Sequence, residues 1–295
     1  MHIQETLLWL GKVSRYPFFW WCFSGPFIFG VVAAGGYVPV FETVILFLWF
    51  AIPAALFFGA LNDAYDWQTD AQNPRKQDLE QASKKGDRKK MLTVAFVSLC
   101  TSVGILPFFN ISMLIAFIVW LCCVLLYNMP PVRLKSVPVL NVLFGGVGMV
   151  LPTALMGYAL VSGTFPSVEY VLFGIVFLAA GHISAGDALD FEYDRNANIH
   201  TIAVWIGSAQ GALVLGFVLY CISTVMLWMF DFKLASICSI AFPVYTMYVV
   251  IYRSDISNKV QTFKFFQYLH IGYWACMVTV YITIDIMQPF LQLGN

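Results

Sequence analysis

The chain alternates long apolar segments with short polar connections. Nine of these segments approach the roughly 20 residues that a membrane-spanning helix requires. They lie at residues 16–36, 42–62, 91–108, 111–129, 138–162, 168–187, 208–230, 234–252 and 266–289. The pattern predicts an all-α integral membrane protein whose nine transmembrane helices form a single domain over residues 1–295 and contact membrane lipid.

Two of the apolar segments end in matching aspartate triplets. The first triplet is Asp63, Asp66 and Asp70, and the second is Asp187, Asp190 and Asp194. At about 100° per residue, this i, i+3, i+7 spacing aligns each triplet on one face of a helix. The spacing recurs 124 residues later, from Asp63 to Asp187, which indicates an internal repeat.

The triplets place negative charge where it is expensive. An aspartate at the centre of a membrane helix costs about 2.5 to 3.5 kcal/mol, so six of them must face a polar cavity. Acidic residues that only cap helices favour N-termini, whereas these follow apolar runs at the C-terminal end. Hard carboxylate oxygens suit Mg²⁺, which usually takes one or two carboxylates together with substrate phosphates. The triplets therefore predict a magnesium site for a substrate that carries phosphate.

A short basic loop connects the fourth and fifth apolar segments. Its sequence is Tyr127-Asn128-Met129-Pro130-Pro131-Val132-Arg133-Leu134-Lys135. The two prolines stiffen the loop, and Arg133 and Lys135 are predicted to lie near the level of the aspartates. Arginine can bind a diphosphate with two hydrogen bonds and lysine as a point charge. Considered without the triplets, Arg133 and Lys135 would be explained by the usual excess of basic residues on the cytoplasmic side. Their combination with the triplets favours diphosphate binding.

Composition and charge placement agree with a membrane location. The chain is 60% apolar, 17% aromatic and 11% charged, whereas soluble domains have about 25% charged residues. Of the 16 basic residues, only Lys233 falls on one side of the predicted membrane. The positive-inside rule then places the N-terminus and both triplets in the cytoplasm and the C-terminus outside the cell (inner) membrane. The 16 acidic residues balance the basic ones, so the net charge says nothing about a nucleic-acid partner.

These motifs resemble the signature of the UbiA superfamily of intramembrane prenyltransferases. The resemblance implies a helical bundle whose cytoplasm-facing cavity binds Mg²⁺ and an isoprenyl diphosphate, with the hydrocarbon tail in a lipid-accessible tunnel. By the same resemblance, one Mg²⁺ would be held by Asn62, Asp63, Asp66 and Asp70, and the other by Asp187, Asp190 and Asp194. Diphosphate or carbocation contacts would come from Asn62, Arg75, Tyr127, Arg133 and Lys135. For a membrane prenyltransferase of this kind, no nucleic-acid partner is expected.

The resemblance also implies a catalytic set and one departure from symmetry. The implied catalytic residues are Asp63, Asp66, Asp187, Asp190 and Tyr127. Asn62 precedes the first triplet, whereas Gly186 precedes the second, so the two metal sites need not be equivalent.

Within the superfamily, two further stretches are most similar to lycopene elongases of bacterial carotenoid pathways. They are Asn62 to Lys76, and Asp194-Arg195-x-Ala197-Asn198 followed by Thr201-Ile202-Ala203. The similarity implies dimethylallyl diphosphate as donor and lycopene or a related carotenoid as acceptor, with the resulting cation quenched by water or by proton loss.

Two other interpretations stay open. One is a prenyltransferase of the same superfamily that acts on an aromatic quinone precursor and would use a base. His182 and His200 are the histidines nearest to a triplet, although such residues more often pack or cap. The other is a cation transporter, but aspartates at helix mouths on one side of the membrane argue against alternating access.

Overall fold

The protein is a bundle of helices joined by short connections. The computed structural model describes residues 3–70, 73, 87–166, 171–230, 232–252 and 259–292, and all regular elements in these ranges are helical. Arg75, one of the predicted diphosphate contacts, lies outside the described residues.

Within the described ranges, the bundle has eight α-helices in its first half and six in its second. Those of the first half are α1 Ile3–Val13, α2 Phe18–Ala34, α3 Val40–Trp49, α4 Ala55–Asp70, α5 Arg88–Cys100, α6 Ile111–Asn128, α7 Pro138–Val142 and α8 Gly148–Ser162. Those of the second half are α9 Val171–Asn196, α10 Ile202–Ile206, α11 Ala209–Met229, α12 Lys233–Ser239, α13 Ala241–Tyr252 and α14 Lys259–Gln292.

Several helices are suited to cross a bilayer. Five helical stretches in the described ranges have the required length and apolar composition: Val40–Trp67, Ile111–Asn128, Pro138–Ser162, Ala209–Met229 and Lys233–Tyr252. A sixth is added if α1 and α2, which are bent by 60° with respect to each other, count as one broken span. The all-helical membrane class is confirmed, while the count of nine spans stays a prediction.

Short π-helical segments join two pairs of helices. Phe50–Ala54 links α3 to α4, and Leu143–Val147 links α7 to α8. The first contains Pro53, whose ring and missing N–H disturb the ordinary helical hydrogen-bond ladder. Each segment lets a long apolar helix continue toward the site without a loop.

Glycines bring α2 and α8 into backbone contact. A β-carbon at Gly30 would lie 1.8 Å from the carbonyl oxygen of Ala154, and one at Gly157 would lie 1.9 Å from that of Phe27. Small residues permit this approach, which membrane helices use because lipid gives them little hydrophobic driving force to associate.

The buried apolar side chains form two clusters, each including one triplet-bearing helix. The first contains Leu61 and Ala64 of α4, and the second contains Ala185, Ala188 and Leu189 of α9. An internal repeat predicts two such clusters, although the second also includes Phe29 of α2 and Ala154 of α8. The triplets therefore lie on the inner helices of their respective halves.

Candidate active site

Both aspartate triplets lie in the last turns of long helices. The first is on α4 and the second on α9, as their helical spacing predicts. Four of the six carboxylates are buried, at exposed fractions of 2% for Asp63, 4% for Asp66, 4% for Asp70 and 9% for Asp190. Asp187 and Asp194 are half-buried. Such burial requires polar or cationic partners.

The first partner is a cation from the N-terminal region. Arg15 follows α1, has a φ of 52°, and forms a buried ion pair with Asp63. Its guanidinium also donates to the carbonyl oxygen of Lys12 at 3.1 Å. Because the left-handed backbone at Arg15 is uncommon for a residue other than glycine, the turn between α1 and α2 is specifically held in place to present this side chain.

The loop between α6 and α7 supplies two further cations. Arg133 donates to Oδ1 of Asp66 at 2.7 Å, and Lys135 pairs with Oδ2 of the same carboxylate. Arg133 has a φ of 42° and begins the tight turn Leu134–Ser136, which directs both side chains toward α4. As predicted, the loop places both cations beside an aspartate of the first triplet.

Carboxylates of both triplets affect the pKa values of Lys135 and Arg133. Burial lowers the pKa of Lys135 to about 7, while the carboxylates of Asp194 and Asp63 oppose that shift. Burial also lowers the pKa of Arg133, and Asp70 and Asp194 oppose it. Since the opposing carboxylates come from both triplets, the loop lies in the electrostatic field between α4 and α9.

Side-chain amides and one backbone amide complete the polar network. Asn62 donates to Oδ2 of Asp66 at 2.9 Å. On the other half, Asn141 donates to Oδ2 of Asp187 at 2.5 Å, and the backbone N–H of Ile202 reaches the same oxygen at 3.3 Å. These donors hold the carboxylates in fixed orientations.

Tyr127 links this network to the apolar interior. Its hydroxyl donates to Oδ1 of Asn141 at 3.1 Å, and its ring stacks on Phe58 with centroids 6.2 Å apart. A β-carbon at Gly145 would lie 2.8 Å from the Tyr127 ring, so the π-helical segment leaves the space that this ring occupies.

A cavity of about 220 Å³ extends inward from Asp187 and Asp190 of the second triplet, while the carboxylates of the first triplet do not line it. Its polar mouth includes Arg15, Asn62, Tyr127, Asp187 and Asp190. Deeper, its wall consists mostly of aromatic and aliphatic side chains, among them Phe18, Phe19, Phe23, Phe58, Met149, Ile175, Leu178 and Trp274. One compartment therefore combines an acidic and basic mouth with an apolar interior, as a charged head group with a hydrocarbon tail requires.

The carboxylates and a metal ion are compatible in chemistry. In the described part of the chain, no three acidic, histidine or cysteine side chains converge as a finished metal site. Instead, Arg15, Arg133 and Lys135 lie against Asp63 and Asp66. The carboxylates offer hard oxygen donors, which are the ligands that Mg²⁺ prefers.

Four contributors to the site were not among the predicted site residues. They are Arg15, Asn73, Asn128 and Asn141. Asn141 could have been predicted from the sequence, because an isolated amide within an apolar segment usually faces a polar interior. Arg15 could not have been predicted in this way, since its approach to Asp63 depends on the bend between α1 and α2. His200, in contrast, is exposed and does not line the cavity.

Comparison with known proteins gives a consistent family. The model of the UbiA prenyltransferase family matches residues 23–275. Lycopene elongase/hydratase of Haloarcula japonica is 35% identical over 213 residues, which cover 70% of each chain. The protein of the same name from Corynebacterium glutamicum is 31% identical over 220 residues, which cover 72% of this chain and 75% of the relative.

Solved structures share the fold. A UbiA homologue from Archaeoglobus fulgidus bound to DMAPP and Mg²⁺ has a TM-score of 0.65 at 20% identity, covering 92% of this chain and 99% of the homologue. An apo UbiA homologue from Aeropyrum pernix K1 has a TM-score of 0.68 at 12% identity, covering 90% and 97%. With its family match spanning most of its length, this chain belongs to the UbiA prenyltransferase family and is a prenyltransferase.

Proposed function

We propose that the protein transfers an isoprenyl group from dimethylallyl diphosphate to lycopene or a related carotenoid. The observation that carries the proposal is the single cavity in which Asp187 and Asp190 of α9 meet Arg15 and an aromatic interior. A diphosphate needs the charged mouth, and its hydrocarbon part needs the apolar wall. The donor and acceptor are chosen by similarity to relatives named lycopene elongase/hydratase.

Two Mg²⁺ ions would be held by the triplets. Asn62 and the first triplet would hold one ion, and the second triplet would hold the other. When bound, the ions neutralise the leaving diphosphate and so favour its departure. Support comes from the hard oxygen donors of α4 and α9, and from the Mg²⁺ and DMAPP in the Archaeoglobus homologue.

The basic side chains would bind the diphosphate. Arg133 and Lys135, with Arg75 by similarity to the family, would contact its outer oxygens. Arg133 and Lys135 already reach Asp66, so they lie where the charge of a metal and a diphosphate would be shared. Arginine offers paired hydrogen bonds and lysine a movable point charge, and both stabilise the leaving group.

The aromatic wall would stabilise the allylic cation left after the diphosphate departs. Tyr127 lies at the boundary between the mouth and the interior, and Phe58 stacks against it. A cation over an aromatic face gains about 0.5 to 2 kcal/mol per ring. The acceptor alkene would then attack the cation, and water would quench the tertiary cation that forms on the acceptor.

The proposal also includes the orientation of the protein in the membrane. We place the protein in the cell (inner) membrane with its N-terminus and active site in the cytoplasm and its C-terminus outside. The support is the distribution of basic residues along the chain. A water-soluble donor would then enter from the cytoplasm, and the lipophilic acceptor from the bilayer.

The decisive experiment offers one donor and compares two classes of acceptor. Membranes containing the protein are incubated with labelled dimethylallyl diphosphate, Mg²⁺, and either lycopene or a hydroxybenzoate or naphthoate acceptor. We expect label in products that are one or two five-carbon units heavier than lycopene. Label only in the aromatic acceptor would instead assign the protein to quinone-precursor prenylation.

A further inference from the structure

Two histidines meet inside the apolar part of the cavity. His182 of α9 and His270 of α14 both line it, and their ring centroids are 4.0 Å apart. Phe18 packs against both rings, at 5.1 Å from His182 and 6.0 Å from His270. Apart from the thiol of Cys22 and the indole N–H of Trp274, the other polar lining groups belong to the mouth. The two histidines therefore form a polar site within the apolar wall, separate from the charged mouth.

The depth of the pair is set by the helix that carries it. His182, Asp187 and Asp190 line the same cavity from α9. At a rise of 1.5 Å per residue, His182 lies about 8 Å deeper than Asp187 and about 12 Å deeper than Asp190 along the helix axis. The reacting carbon of the donor is bonded to the diphosphate, and the acceptor cation forms a few bonds beyond it. His182 is thus at the depth of the final cation and not at that of the leaving group.

His270 has a defined role for each nitrogen. Its Nδ1 lies 3.3 Å from the carbonyl oxygen of Phe266, and a carbonyl oxygen can only accept. We therefore assign the proton of the neutral ring to Nδ1, which leaves Nε2 as an acceptor. The ring is 4% exposed and packs against Phe242 with centroids 4.5 Å apart, which fixes its orientation.

Two imidazole rings in an apolar wall offer a place for one water molecule. A buried water requires two to four polar partners, and the adjacent rings provide nitrogen atoms for this purpose. We propose that His182 accepts a proton from the water that adds to the acceptor cation, and that His270 positions His182 and this water. The inference rests on the proposed carotenoid acceptor.

Addition of water to the acceptor cation forms one C–O bond and breaks one O–H bond. A lone pair of water forms a C–O bond to the tertiary carbon, whose positive charge passes to the oxygen. One O–H bond then breaks, its electrons stay on oxygen, and its proton goes to a ring nitrogen of His182. The product is a tertiary alcohol, and the imidazolium returns its proton to solvent after product release. His182 is the catalytic residue in this step, and His270 is a positioning residue.

The test separates hydration from ionisation. The full-length wild type and the variants His182→Gln and His270→Gln are assayed in membranes with lycopene, dimethylallyl diphosphate and water labelled with heavy oxygen. Diphosphate release reports the first half of the reaction, and label in the product reports hydration. We expect His182→Gln to lower the labelled fraction of product by at least about tenfold while diphosphate release falls by less than about threefold, since general bases contribute about 10²-fold or more.

The controls make each outcome informative. His270→Gln should lower the labelled fraction in the same direction, and it provides a second measurement if His182→Gln does not accumulate. His200→Gln changes an exposed histidine beside the same triplet and should match the wild type. An unchanged labelled fraction in both cavity variants overturns the inference even if their overall rate falls. A wild type that leaves lycopene unmodified overturns the proposed acceptor itself and, with it, the inference.

Discussion

Asn73 donates its side-chain N–H to Oδ1 of Asp190 at 2.8 Å, across 117 residues of sequence. Its backbone N–H donates to the carbonyl oxygen of Asp70 at 3.1 Å, which fixes it directly beyond the end of α4. Both Asn73 and Asp190 are buried. This contact ties the first triplet to the second and holds the two halves of the site at a fixed separation.

Replacing Asn73 tests this connection. Asn73→Ala removes one donor to Asp190, and we expect kcat/KM for prenyl transfer to fall by about 10- to 100-fold, the usual effect of losing a partner that orients a metal ligand. The measurement is steady-state transfer at saturating Mg²⁺. Asn196→Ala, at an exposed asparagine beyond the second triplet, is the matched control and should retain activity. Equal activity of the two variants would contradict the role assigned to Asn73.

Neutralising one carboxylate in each triplet tests the metal assignment. Asp63→Asn or Asp187→Asn should reduce transfer by more than about 10²-fold, because each change removes an anionic oxygen that stabilises the transition state through the metal. Chelation of divalent metal should have the same effect on the wild type. Transfer is measured from labelled donor, and membrane insertion by extraction with detergent.

The control for these variants lies on the same helix. Glu192→Gln neutralises an exposed carboxylate between the last two aspartates of the second triplet and should leave transfer within about threefold of the wild type, as for most surface substitutions. Full activity of both aspartate variants, or full activity of the wild type in chelator, would remove the triplets from the metal site.

The buried ion pair between Arg15 and Asp63 predicts a stability effect that depends on metal. Arg15→Gln removes the cation beside a buried carboxylate, a loss that costs about 3 to 5 kcal/mol. We expect a lower Tm in chelator, with part of the loss restored by Mg²⁺, measured by thermal unfolding in detergent. Lys12→Gln, an exposed change in the preceding helix α1, should leave Tm unaltered. A Tm of Arg15→Gln equal to that of the wild type in chelator would refute the stabilising role.

Backbone contact between α2 and α8 predicts intolerance of even one methyl group. Gly30→Ala would place its β-carbon 1.8 Å from the carbonyl oxygen of Ala154, so the helices must move apart. Overpacking costs about 1 to 3 kcal/mol, and we expect Tm to fall by about 5 °C. Gly272→Ala has open space around the added carbon and is the matched control. If both variants unfold at the same temperature, the close approach is not a constraint.

The sequence was most informative where chemistry and periodicity coincide. The spacing of the triplets predicted two helical faces, and α4 and α9 contain them as expected. The predicted span at residues 138–162 coincides with the helical stretch Pro138–Ser162. In these cases the required information is local, since a helix repeats its own geometry and an apolar run records its own length.

Other features depend on distant parts of the chain. The apolar segment at residues 91–108 is not one helix, because α5 ends at Cys100 and tight turns follow at Thr101–Gly104 and Leu106–Phe108. Hydrophobicity alone did not reveal this, although Gly104 and Pro107 weaken a helix. The meeting of Arg15 with Asp63, and of His182 with His270, depends on how helices bend and pack, which no local pattern specifies.

The three cations at the carboxylates also bear on how the protein matures. Because Arg15, Arg133 and Lys135 already neutralise charge on Asp63 and Asp66, the polar mouth can be accommodated next to lipid before a metal ion arrives. Membrane insertion therefore does not depend on bound metal.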